Sequence, residues 1–363
     1  MRILRVAQKC YPDVTGGGPY HVHAMSRDQA AMGHDVTVLT VRSDPTDPHV
    51  ESRDGYTVVR FDSLCSPLGN AISPGLASYL TAVSGFDVIH AHSHLYFSTN
   101  LAAFLRACSV LPGFERPPLA ITNHGLYSQT APEWVFDWYL RTLGRATFNS
   151  ADVVFCYTAA DEQRLRAVDV RTDVSVVPNG IDTSRFRPGG PTSELVCGEP
   201  AVLFVGRLVE GKRPMDAVRA VSHLRETYPG ARLSVCGDGS LREDLRGVAG
   251  SETELLGERS YDEMPAIYRA ADVLVLPSRA EGTPRTVLEA LACGTPVVCS
   301  DLPHLRSAFG DAVTYAPVGD VDGFCAGLRE SIGTQRGVST PAAVTDWETT
   351  VEQTTAALAR LAR

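Results

Sequence analysis

Glu281 and Glu289 bracket the segment EGTPRTVLEALACGTPVV, residues 281–298, and their spacing suits a ligand with hydroxyls on both sides of an anion. Val287–Cys293 contains mostly good helix formers and is stopped by Gly294, then Pro296. Val297-Val298-Cys299 reads as a buried strand. Glu281, beside Gly282 and Pro284, falls on a loop, and Glu289 lies about one turn into the helix. Outward N–H groups at a helix N-terminus attract an anion. A nucleotide-sugar has the matching layout: sugar, diphosphate, ribose. The bland alternative is a surface loop followed by an amphipathic helix.

Arg207 and Lys212 form a second constellation in GRLVEGK, just after the apolar run Val202–Val205. At this spacing both can reach one diphosphate and offset the charge that develops on a leaving nucleotide. A solvated charged loop is the alternative. The chain has only two lysines, Lys9 and Lys212, which argues that a compact ammonium is needed at 212.

Other candidates also follow predicted strands. Gly16-Gly17-Gly18 lets backbone N–H groups approach a phosphate, or simply makes a turn. Its spacing does not match a dinucleotide fingerprint, because the loop is long and Pro19 and Tyr20 follow. His124 lies in Thr122-Asn123-His124-Gly125. His90, His92 and His94 alternate, which puts them on one face of an extended segment. A metal site, an acceptor pocket and a structural role stay open for them. Asp320-Val321-Asp322 could hold a metal-bound diphosphate, but a helix N-cap is the better reading. Residues 132–148 carry Trp134, Phe136, Trp138, Tyr139, Leu140 and Leu143, a helix with a wide aromatic face. Core packing and a lipid- or acceptor-facing lip are both open for it.

The elements that must position these residues alternate strand and helix. Expected strands are Ile3–Ala7, Val36–Thr40, Thr57–Phe61, Asp87–His90, Leu119–Thr122, Val153–Tyr157 and Val174–Val177. A helix is expected from about Tyr20 to Met32. A second series follows at Ala201–Val205, Arg232–Cys236, Glu254–Leu256, Val273–Leu276, Val297–Cys299 and Val313–Tyr315. This rhythm predicts α/β domains with parallel sheets covered on both faces. The expected division is a domain over 1–178, a Pro/Gly-rich linker over 179–200, a domain over 201–342 and a terminal helix within 343–363.

Composition agrees with two soluble cores: 363 residues, 44% hydrophobic and 21% charged. A formal charge of −9 argues against a nucleic-acid partner. Nine cysteines without any C-x-x-C pair suit a reducing compartment rather than disulfides or zinc. The N-terminal apolar run is too short for a signal peptide, and no stretch reaches the roughly 18–20 apolar residues of a membrane span. The expected location is the cytoplasm, with peripheral contact at the inner face of the membrane as the alternative.

The full string PSRAEGTPRTVLEALACGTPVVCSD, Pro277–Asp301, resembles the donor-binding signature of retaining glycosyltransferases of family 4, glycosyltransferase group 1. The resemblance implies the GT-B fold: two Rossmann-like domains with parallel sheets facing across a cleft, and a C-terminal helix returning to the first domain. It implies a UDP- or GDP-linked sugar as donor substrate, no cofactor, no metal, and a glycan, lipid-linked or small-molecule acceptor. It implies that Arg207 and Lys212 hold the donor phosphates, that Glu281 bonds the sugar hydroxyls, and that His124 meets the sugar near the reacting centre. Glu289 would bond the ribose. Gly16, Gly17 and the backbone at Arg285 and Thr286 would meet the diphosphate, and the base would rest along Gly257–Tyr261, which includes Arg259. His92 and Tyr127 would face the acceptor. Pro284 departs from the pattern, since many members have Gly there and Pro has no N–H to donate. The implied chemistry is a same-face displacement in which the leaving phosphate helps to deprotonate the acceptor, with no enzymic nucleophile. Another GT-B enzyme, such as an epimerase or phosphorylase, and a non-catalytic sugar-nucleotide-binding subunit are the rival readings.

Overall fold

The computed structural model describes residues 1–110, 116–127, 132–333 and 343–363. The expected domain boundary at 342 lies outside them. The chain divides into two compact units. Unit 1 comprises Met1–Leu126, Glu133–Pro178 and Thr349–Arg363; unit 2 comprises Tyr127–Pro132 and Asn179–Glu348.

Unit 1 is built on strands β1 (Arg2–Val6), β2 (Asp35–Val41), β3 (Val50–Arg53), β4 (Tyr56–Phe61), β5 (Val88–His92), β6 (Leu119–Thr122), β7 (Val153–Cys156) and β8 (Asp173–Val176). Their order is β3-β4-β2-β1-β5-β6-β7-β8. β5, β6 and β7 are buried along their whole length, as strands covered on both faces must be. β3 is antiparallel to β4 and was not expected from the sequence. Its residues, VESR, carry almost no apolar signal. The Asp54-Gly55 turn, with φ of 44° and 84°, is what folds the two strands together. Ile3, Val36, Val58, Val88, Ala120 and Phe155 form a core into which Ala357 and Leu358 of the terminal helix Trp347–Leu361 also pack.

Unit 2 has six parallel strands: β9 (Ala201–Val205), β10 (Arg232–Cys236), β11 (Thr253–Gly257), β12 (Val273–Leu276), β13 (Val297–Ser300) and β14 (Thr314–Ala316). They run in the order β11-β10-β9-β12-β13-β14. Residues 179–200 belong to this unit rather than forming a linker. Ile181, Phe186 and Val196 are buried in its core, so their Pro- and Gly-rich surroundings are an ordered loop.

Strand order reverses once in each sheet. β1 lies between β2 and β5, and β9 lies between β10 and β12. Open α/β sheets bind ligands beyond the carboxyl ends of strands at such a point.

Candidate functional site

In unit 2, the residues after β9 and β12 meet. Lys212 ends a single turn, Glu210–Lys212, after β9, and Glu281 lies on the loop after β12. Lys212 Nζ stands 2.5 Å from Glu281 Oε1, with both side chains buried. Neither charge would be tolerated there alone. Arg207 is exposed at the end of β9. The loop that carries it is clamped by Gly237 and Gly239, which the sequence reading passed over. A Cβ at Gly237, where φ is 141°, would lie 2.0 Å from Gly206 O. At Gly239 it would lie 2.5 Å from Leu208 O. Only glycine allows this approach.

The helix Arg285–Ala292 begins with Pro284 as its cap. Its first backbone bonds run from Val287 and Leu288 to Pro284 O, leaving the Arg285 and Thr286 N–H groups outside the ladder. The Arg285 side chain does not point the way its backbone does. It donates to Gly180 O at 2.9 Å and to Tyr261 Oη at 2.9 Å, and its Nε lies 3.5 Å from Glu289 Oε1. Glu289 is buried and accepts from Tyr268 Oη at 2.9 Å and Tyr261 Oη at 3.2 Å. Burial raises its pKa, opposed by Arg285 and the two phenols. Tyr268 escaped the sequence reading, because a tyrosine inside an apolar helix looks like core. Arg259 is half-buried, 3.8 Å from Glu263.

Tyr127 stacks on His304 with ring centroids 3.9 Å apart and belongs with unit 2. Asp320 caps the helix Val321–Ser331 by accepting from Gly323 N, and Asp322 lies 2.9 Å from His223.

In unit 1, the helix after β1 spans Gly17–Ala31, so it begins at Gly17 rather than Tyr20. Gly16, with φ of 129°, is its cap, and Gly17-Gly18-Pro19 form the first turn, where proline's missing N–H costs nothing. His92 ends β5, His124 follows β6 and Tyr157 follows β7. His92 Nδ1 lies 3.0 Å from His124 Nε2, and His124 Nδ1 lies 2.7 Å from Tyr157 Oη. His21 stands edge-on to the His124 ring at 5.1 Å. Burial holds His90 and His92 well below the usual histidine pKa, with the nearby Arg5 adding to the effect. His94 does not join them. Ser93 has φ of 64° and breaks the alternation, so His94 packs among Phe136, Tyr139 and Phe148. The three histidines therefore do not converge on one point.

The aromatic segment of 132–148 divides its side chains. Phe136 and Leu140 are buried, whereas Trp134 is 75% and Trp138 68% exposed. No helix among the described residues is long and apolar enough to cross a membrane.

Residues 15–185 match the family model Glycosyltransferase Family 4, and residues 199–333 match Glycosyl transferases group 1. A glycogen synthase of Mycobacterium tuberculosis is 30% identical, over 91% of this chain and 85% of that protein. A phosphatidyl-myo-inositol mannosyltransferase of Mycolicibacterium smegmatis is 28% identical, over 90% of this chain and 84% of that protein. Among solved structures, Anabaena HepE in complex with UDP-glucose superposes with a TM-score of 0.73 at 18% identity, covering 99% of this chain and 100% of that one. The chain belongs to glycosyltransferase family 4 and has the GT-B class of fold. It is a glycosyltransferase.

Proposed function

We propose that the protein is a retaining, metal-independent hexosyltransferase that uses a nucleoside-diphospho-sugar, UDP- or GDP-linked. The observation that carries this reading is the buried Lys212–Glu281 pair at the strand-order reversal of unit 2, followed one helical turn on by Glu289. Lys212 and Arg207 bind the diphosphate and stabilise it as it leaves. Glu281, released from Lys212 when phosphate takes its place, accepts from sugar hydroxyls. Glu289 keeps lone pairs for the ribose beyond those its two tyrosines use. Backbone N–H groups of Arg285 and Thr286 meet the phosphates at the helix N-terminus. In unit 1, Gly16 and Gly17 leave room for a phosphate and His124 meets the sugar; in unit 2, Arg259 borders the base. His92 serves by orienting His124.

The acceptor is a glycan, a lipid-linked sugar or a small molecule. The exposed Trp134 and Trp138, one turn apart, support peripheral contact with a membrane from a cytoplasmic position, since indole favours the lipid–water interface.

The test is a thermal-shift comparison of UDP-glucose, ADP-glucose and GDP-mannose, followed by product analysis. A donor at a hundred times its Kd stabilises by about 2.7 kcal/mol. An NMR spectrum of the product should show the donor's anomeric configuration. No shift with any nucleotide-sugar, or an inverted product, refutes the proposal. Release of sugar phosphate on adding inorganic phosphate would make the protein a phosphorylase.

A further inference from the structure

Three strand ends of unit 1 deliver one hydrogen-bonded chain: His92 from β5, His124 after β6 and Tyr157 after β7. Each link is held from behind. Asn123 Oδ1 accepts from Gly125 N, which folds the backbone around His124. Thr158, next to Tyr157, forms a reciprocal cap with Asp161 at the start of the helix Ala159–Ala167.

The proton positions follow from a count of donors. His92 is buried and neutral, so it carries one ring proton. Its Nε2 has no hydrogen-bond partner among the described residues, and its Nδ1 faces His124. A proton on Nε2 would be a buried donor with no acceptor; on Nδ1 it makes a bond. His124 then accepts at Nε2, so a neutral His124 holds its proton at Nδ1 and donates to Tyr157 Oη. His90 is fixed separately: Arg5 can only donate to its Nδ1, so its proton sits on Nε2 and goes to Thr122 Oγ1, 2.7 Å away.

We propose that Tyr157 is a positioning residue of the transfer reaction, which with His92 clamps the His124 ring at both nitrogens and fixes its plane and tautomer. This rests on the reading of His124 as the residue beside the donor sugar. With both nitrogens engaged, His124 offers the sugar its ring face and C–H edge, and an unclamped imidazole would turn that surface away. Tyr157 does not touch substrate in this scheme; His92 sets which nitrogen of His124 holds the proton, and the Tyr157 hydroxyl accepts that proton and holds the ring in plane.

The experiment is a double-mutant cycle on Tyr157→Phe and His124→Ala, read as nucleoside diphosphate released from whichever of UDP-glucose, ADP-glucose and GDP-mannose is turned over. Phe keeps the ring and removes only the hydroxyl. The expected result is a fall in kcat of about 10-fold for Tyr157→Phe, the scale of a misplaced contact, with donor KM changed less than about twofold. In the His124→Ala background the same substitution should change kcat by less than about twofold. An equal loss in both backgrounds, or normal kcat for Tyr157→Phe alone while His124→Ala is impaired, overturns the clamp. Normal turnover of His124→Ala itself overturns the reading of His124, and the clamp with it. Should Tyr157→Phe fail to fold, His92→Asn and His92→Leu read the other end. Asn retains a donor near the Nδ1 position and should keep at least about fivefold more turnover than Leu; equal turnover counts against the clamp.

Discussion

The candidate site of unit 2 is built on charges, and that of unit 1 on neutral rings. Lys212 and Glu281 neutralise each other at 2.5 Å, and Glu289 is shared by Arg285 and two phenols. In unit 1 the ends of β5, β6 and β7 carry His92, His124 and Tyr157, linked without any carboxylate. The difference fits the roles proposed for the two units. A diphosphate needs full positive charge that a carboxylate can hold in place until the ligand arrives. A sugar is neutral, and orientation of single N–H and O–H groups is what it requires. Disturbing unit 2 should therefore change electrostatics and binding, whereas disturbing unit 1 should change orientation and acid tolerance.

The largest expected break is Lys212→Ala. It removes the proposed phosphate ligand and takes the ammonium away from the buried Glu281 carboxylate. Turnover should fall by at least about 100-fold, and the melting temperature should drop as well, since breaking a buried pair costs about 3–5 kcal/mol. Arg207→Ala, at an exposed position, should lose a similar factor in turnover and leave the melting curve in place. Kinetics together with calorimetry of both variants would decide; a stable, active Lys212→Ala would erase the contrast between the units.

The two glutamates sharpen the picture within unit 2. Glu281→Gln should lower kcat by about 10-fold or more while nucleoside diphosphate binding stays nearly intact. Glu289→Gln should weaken nucleoside diphosphate and nucleotide-sugar alike, the mark of uniform binding. Titration calorimetry beside turnover measurements checks this, and a reversed pattern would mean that the roles are exchanged.

Acid should attack unit 1 first. His90, His92 and His94 are buried and their pKa values are lowered, that of His94 to about 3. The unfolded chain protonates them near the ordinary value of 6.5, so below that pH the unfolded state holds more protons. Their contribution is fully present above pH 6.5 and is lost as pH falls through and below it, by about 1.4 kcal/mol per pH unit for each histidine. Thermal melts from pH 7.5 to 4.5 test this. A melting temperature independent of pH across that range would contradict the burial of the three rings. The smallest effect is expected from chelation: EDTA should leave turnover within a factor of about two, since the proposed function gives Arg207 and Lys212 the work of a Lewis acid. Loss restored by magnesium or manganese would overthrow the charge-based account of unit 2.

Legibility in the sequence followed the same divide. Unit 2's candidate residues lie in two short contiguous stretches, Gly206–Lys212 and Pro277–Asp301, so it is the whole strings and their family resemblance, more than the spacing of two glutamates, that single out Arg207, Lys212, Glu281 and Glu289. Their partners did not show, because Tyr261 and Tyr268 reach Glu289 across 28 and 21 residues. Unit 1's cluster comes from three strand ends more than thirty residues apart, and nothing local marks Tyr157 as more than the end of a buried strand. The edge strand β3 was missed for a different reason. Pairing with β4 creates it, and the one local sign was Asp54-Gly55. The Trp134–Leu143 helix carried both possible outcomes in its composition, and burial sorted its side chains residue by residue.

The scarcity of lysine gives the Lys212–Glu281 pair a use outside catalysis. Only Lys9 and Lys212 offer side-chain amines in these 363 residues. Lys9 is partly exposed, whereas Lys212 is buried against a carboxylate. An acylating reagent thus meets a molecule with very few addresses, one of them locked from inside. The mass of the peptide that carries Lys212 then reports how often that lock opens, and the labelling of Lys9 supplies an internal clock on the same chain.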